Sequence, residues 1–295
     1  MEKSIFIAIS AISVLAVGLF LTACSPKSSS LNPNEDAMLV EPTQQEQETS
    51  AEEWERFYAA VEELNATFFP NQQCISYTLA NDSVDDTREL KKDIVDADIE
   101  GALAGANLGG DIGSSIGGRT GATIGAIAGA VIVGAYESYS AYEASKNEAM
   151  IRTTSLQTIT QINDTSIGSR IGIMHNILID KLIKRNVTFE NFSYQQAIGL
   201  LIDGYESYFS PIDSEIKSAL LDEMMIKTPI LNDNVVQANQ TFKRTAINLS
   251  IANLHNYTTR YLRIVDRTIS NNTDKTYMST YAGQLYYSTA LWVVR

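Results

Sequence analysis

Apolar residues run almost unbroken from Ile5 to Leu21, and the pattern then changes character three times along the chain. Residues 25–50 are dominated by Ser, Pro, Asn, Gln and Glu and show no period, the composition of a tether that cannot bury a core. From Ala51 the apolar positions fall at three- and four-residue steps: Trp54, Phe57, Tyr58, Val61, Leu64 and Phe68. Pro70 closes this predicted helix. Residues 71–84 are ambiguous, with an extended reading around Ile75-Ser76-Tyr77. Asp86-Thr87 opens another helix, with Leu90, Ile94 and Val95 on one side. Helical spacing further predicts elements over 135–160, 167–185, 194–209, 213–226, 233–268 and 277–293, two of them separated by Ser210-Pro211. No alternating run is long enough for a sheet, so the expected fold is mainly α.

Between these elements lies a repeat. Gly101, Gly105, Gly109, Gly113, Gly117, Gly121, Gly125 and Gly129 occupy every fourth position without a miss, and the residue after each is also small. The preceding column is mostly Leu, Ile or Ala, as at Leu108, Ile112, Ile116 and Ile124. Glycine in a helix interior is disfavoured by about 0.8–1 kcal/mol relative to alanine, so an isolated surface helix cannot carry so many. They must face another backbone at close range. A four-residue step also overshoots one turn by about 40°, so a stripe this long winds around its helix and cannot meet one straight partner. The spacing therefore predicts a helical hairpin broken near Gly117-Gly118-Arg119-Thr120-Gly121, its arms packed glycine face to glycine face. The fold expected is a helical domain organised around this glycine-zipper hairpin.

The two arms differ. The first carries Glu100, Asn107 and Asp111; residues 120–136 carry no charge and lead into Tyr136, Tyr139 and Tyr142. Seventeen helical residues span about 25 Å, just short of a hydrocarbon core, and tyrosines suit its interface. Two readings stand: a hairpin that enters a bilayer, alone or by self-association, or the packed centre of a soluble helical domain. Asp111 at bilayer depth would cost several kcal/mol unless it lined a pore, which favours the second. The array resembles the glycine-zipper segments of bacterial envelope proteins and of some self-assembling toxins.

The N-terminal run gives the address. Lys3, the apolar stretch and Leu21-Thr22-Ala23-Cys24 together resemble the lipobox of bacterial lipoproteins. The resemblance implies a signal peptide over 1–23, cleavage before Cys24, acylation of that cysteine and attachment to a membrane, with 24–50 as lipidated tether and 51–295 as helical domain. Ser25, where an aspartate would favour inner-membrane retention, points to the outer membrane. With Cys24 lipidated, Cys74 has no intramolecular disulfide partner and reads as a small buried hydrophobe. The net charge of −13 argues against nucleic-acid binding and against electrostatic adhesion to anionic lipid. The lipid itself, at roughly 0.8 kcal/mol per buried CH₂, would supply the attachment.

Candidate chemistry is sparse. His175-Asn176 sits in Gly172-Ile173-Met174-His175-Asn176, a G-x-x-H-N pattern on a predicted helix. Paired with the glycine array, it resembles a group of Bacteroidetes secreted proteins and lipoproteins; that resemblance implies no established activity. A metal site needs three or four convergent ligands, and no HExxH or CxxC accompanies His175. The expectation is that His175 and Asn176 hydrogen-bond across a helix junction, with Gly172 permitting close approach. Gly118-Arg119-Thr120 lacks the lysine and the spacing of a phosphate loop, and there is no GxGxxG or GxSxG. Asp85, Asp86, Asp93, Asp96 and Asp98 read as a helix start made soluble and dipole-compatible. Trp54, Tyr194, Tyr205 and Tyr208 read as core aromatics. No catalytic residue, cofactor or metal is expected. The expected function is contact with a membrane or with a protein whose identity the sequence does not give; the alternative is a membrane-active effector whose zipper inserts and oligomerises.

Overall fold

Ser50 begins the first helix, α1 (Ala51–Phe68), with a capping box: its Oγ accepts from the Glu53 amide and the Glu53 carboxylate accepts from the Ser50 amide. Trp54, Phe57, Val61 and Leu64 form its buried stripe. The computed structural model describes residues 48–70, 86–145, 151–162, 166–188, 191–222, 229 and 231–294, all within the compact unit Glu46–Arg295. Cys24, most of the tether, Cys74 and the segment 71–84 lie outside the described residues.

The chain is mainly α. After α1 come α2 (Asp86–Ser145), α3 (Ile167–Lys184), α4 (Tyr194–Tyr208), α5 (Ser214–Asp222), α6 (Asp233–Ala246), α7 (Ile251–Thr268) and α8 (Asn272–Leu291). Two three-residue strands, β1 (Ile151–Thr153) and β2 (Trp292–Val294), pair antiparallel with Thr153 opposite Trp292. Trp292 is fully buried; its indole N–H donates to Ser138 Oγ at 3.2 Å and its ring stacks on Tyr142. Within the expected helix over 135–160, α2 is described as far as Ser145, and residues 151–153 form a strand whose partner lies far away in sequence. The expected helix over 233–268 is two, separated at Ile247–Ser250, where Ser250 caps α7 through the Asn253 amide.

α2 is bent back on itself. Gly117 (φ −131°, ψ 21°) and Gly118 (φ 57°, ψ −140°) leave the helical region, and Gly118 takes a left-handed φ that glycine adopts without strain. The two arms then run antiparallel. A Cβ on Gly105 would fall closer than 3.0 Å to the carbonyl of Gly129, one on Gly109 to that of Gly125 and one on Gly113 to that of Gly121; the reciprocal clashes hold as well. Gly117 is the midpoint of these facing pairs. Splitting the array halves the angular drift that each arm must absorb, so straight helices can hold contact over their length.

Among the described elements, α3, α4, α5 and α8 pack directly against the hairpin. Residues 125–135 of the second arm are buried throughout. The polar groups of the first arm each meet a defined environment: Asp96 pairs with Lys243 of α6 at 2.7 Å, Asn107 accepts from the Tyr277 hydroxyl of α8 at 2.8 Å, and Glu100 and Asp111 are exposed. α8 is buried on all sides from Ala282 to Ser288 and packs against α2, α3, α6 and α7. A second close backbone contact joins α3 to α8, where a Cβ on Gly168 would overlap the Ser279 carbonyl and one on Gly283 the Gly168 carbonyl. α1 lies antiparallel on α7, with Phe57 edge-on to Tyr261 and the Tyr257 hydroxyl donating to Asn65.

Candidate functional site

Two places gather the residues singled out in the sequence. The first is a closed polar cluster where α2, α3 and α8 meet. His175, Asp98 and Gln284 are completely buried and Asn176 nearly so. The close approach of α3 to α8 depends on Gly172, because a Cβ there would run into the Tyr287 ring. Asn176 Nδ2 donates to the Tyr287 carbonyl at 3.2 Å, which fixes the amide orientation and leaves Asn176 Oδ1 to accept from His175 Nδ1 at 2.9 Å. The other ring nitrogen, Nε2, lies 3.0 Å from Asp98 Oδ1, at ion-pair separation but without an aligned hydrogen bond. Gln284 Nε2 donates to the same carboxylate oxygen.

His175 is fully buried, so neither ring nitrogen faces solvent where a substrate would arrive. Asp98 Oδ2, Gln284 Oε1, Thr280 Oγ1 and Ser288 Oγ have no hydrogen-bond partner among the described residues. The last three recur every four residues on one face of α8. Among the described residues no group of three or more His, Cys, Asp or Glu side chains converges as a metal site. Asp98 corrects the reading of the acidic helix start: it is a buried partner of His175, not a solubilising charge. Asp98, Gln284 and Gly283 carry no motif, and only the four-residue recurrence Thr280, Gln284, Ser288 hinted at a polar face on α8.

The second place is the bend of the hairpin. Residues 114–120 are exposed, and Ile116 and Ile124 are 43% and 48% exposed. Gly117 and Gly118 have open space where a side chain would stand. Ser115 Oγ donates to the Ile112 carbonyl and Thr123 Oγ1 to the Arg119 carbonyl, so these two hydroxyls turn inward to the backbone. No carboxylate occurs between Asp111 and Glu137. Glu137, half-buried at the other end of the arm, has its carboxyl pushed above the usual range by burial and then by Glu100.

Of the aromatics, Trp54 and Tyr205 are buried and Tyr194 half-buried, whereas Tyr208 is exposed and does not belong to the core. Gly101 and the seven other array glycines all lie on the hairpin: the six central ones make the arm-to-arm contact, Gly101 packs against Glu137 and Val133, and Gly117 makes the bend. Comparison with family models, with curated proteins and with solved structures finds no match for the chain.

Proposed function

We propose that the protein is a non-enzymatic, lipid-anchored lipoprotein of the bacterial cell envelope, held at the outer membrane through Cys24, whose helical body works by contact with a membrane or protein surface made at the bend of the glycine hairpin. One observation carries this reading. In a chain of net charge −13, the bend presents two exposed isoleucines within a stretch free of carboxylates. Exposed apolar side chains in a stretch without carboxylates are what a contact region offers a membrane or protein surface. The bend extends roughly 6 Å, one helical turn, beyond Gly113, enough to reach a headgroup layer but not to cross a bilayer.

A second reading is a membrane-active effector. Residues Lys91–Ala144 form a helix long and apolar enough to cross a membrane by length and composition. Insertion would expose Asp98 and His175 and strip residues 125–135 of their partners, so it requires the body to open.

The test compares wild type with the double variant Ile116→Asp, Ile124→Asp. Both positions are exposed, so the fold should survive with a melting temperature within a few degrees of wild type. Chemical crosslinking in intact cells should lose the partners seen with wild type, while membrane attachment through Cys24 persists. An unchanged crosslinking pattern would sink the assignment of the bend as the contact region. Loss of attachment on changing the isoleucines alone would favour insertion.

A further inference from the structure

We infer that the groove between α1 and α7 binds a phosphate-bearing ligand. Arg260, Arg263 and Arg267 stand at steps of three and four along α7, so their side chains share one face over about 10 Å. They line a cavity of about 270 Å³ whose apolar wall is Ala60, Leu64 and Ile264. None of the three has an ion-pair partner among the described residues. Lys184, Lys217, Lys243 and Lys275, by comparison, each pair with a carboxylate. In a chain with thirteen more acidic than basic side chains, three guanidinium groups lining one groove with a single carboxylate, Glu63, give it a net positive charge opposite to that of the whole molecule. That field acts within a Debye length of about 8 Å, so it selects a ligand seated in the groove and does not attract from afar.

The residue types narrow the ligand. A guanidinium presents a planar fork that matches phosphate oxygens two at a time, which an ammonium cannot do. The Arg260 guanidinium lies 5.9 Å from the centre of the Phe68 ring, an arrangement that holds its arm against α1. The apolar wall reduces screening on one side of the charges. Glu63 is the one carboxylate lining the cavity. Beside three arginines it repels a bare anion and accepts from a hydroxyl or ammonium carried next to the phosphate. The ligand class is therefore a phosphate ester with an adjacent hydrogen-bond donor, free in solution or as the headgroup of a phospholipid.

Calorimetric titration of the full-length chain in neutral detergent at low ionic strength tests this with three probes: inorganic phosphate, glycerol 3-phosphate and a dihexanoyl phosphatidylglycerol. Saturable binding is expected for at least one ester. Tighter glycerol 3-phosphate identifies a soluble ester as the source, and tighter short-chain lipid identifies a headgroup. Arg263→Gln and Arg267→Gln should each weaken binding about tenfold, equivalent to about 1.4 kcal/mol. Arg185→Gln, the same charge change at an exposed site outside the groove, should weaken it less than twofold. Glu63→Gln should weaken glycerol 3-phosphate more than inorganic phosphate. The proposal is overturned if no probe saturates, or if Arg185→Gln weakens binding as much as the groove variants. All four variants change exposed side chains, and an unchanged melting temperature establishes that a lost signal is lost binding.

Discussion

Gly109 and Gly110 are neighbours in sequence with opposite reasons to be glycine. A Cβ at Gly109 would overlap the Gly125 carbonyl, whereas one at Gly110 would meet its nearest atoms at 3.6 Å and 3.8 Å, ordinary contact. Gly109→Ala should therefore destabilise by about 3 kcal/mol or more, since backbone atoms must move apart. Gly110→Ala should stabilise by about 0.5–1 kcal/mol through helix propensity, as should Gly199→Ala, which has open space around it. Urea denaturation of the three variants checks the contrast; equal effects at 109 and 110 would contradict close backbone packing. At the buried cluster, His175→Ala removes one partner of a buried pair and should cost about 3–5 kcal/mol. Asp98→Leu combined with His175→Leu should cost clearly less than the two single leucine changes added together, because no charge is left stranded. Additive single effects would show that the two side chains do not act as a pair. At this scale the glycine period was legible because four-residue spacing is local. Asp98 was not, since its partners come from helices nearly eighty and nearly two hundred residues away.

The ends of the helices depend on short-range caps, and one of them gives a pH signature. The Glu53 carboxyl of α1 is held at about 2, against an ordinary 4.5, by hydrogen bonds from Ser270 first and Ser50 second. A depressed carboxyl contributes stability that is present above pH 4.5 and is lost as pH falls towards 2. The side chain is exposed, so solvent screening keeps the contribution small. The melting temperatures of wild type and Glu53→Gln should differ most above pH 4.5 and converge as pH approaches 2. A difference that stays constant across this range would remove Glu53 from the acid response. Capping also explains which helix boundaries the apolar pattern missed. Phe242, Ala246 and Leu254 keep helical spacing straight through the break between α6 and α7, so the period gave no warning; Ser250, three residues before Asn253, was the signal that marked it. α8 starts at Asn272, earlier than the expected 277, because its cap, Asn271 to Asp274, precedes the first apolar residue. The strands were invisible because three residues are too short to alternate and their pairing is non-local.

For the molecule as a whole, the hairpin is both the centre and the exposed end. Its base is enclosed by α3, α4, α5 and α8, and its bend stands beyond them. The sequence left open whether the uncharged second arm faces lipid or protein, because hydropathy alone reads a buried core helix and a membrane span alike. Burial of residues 125–135 within the helical body, and Tyr194 edge-on to Tyr136 just beyond them, support the protein environment. The resemblance of Leu21-Thr22-Ala23-Cys24 to a lipobox carries the anchoring proposal independently, and replacing Cys24 with serine should release the protein from the membrane. The central claim, that the glycine array is the core of a self-sufficient helical body, is tested most directly by light scattering coupled to size exclusion on residues 25–295, produced without lipid or detergent. The structure predicts a soluble, strongly helical species with the mass of one chain. A species that stays soluble only in detergent and assembles there into a defined oligomer would contradict it and place the array in the membrane.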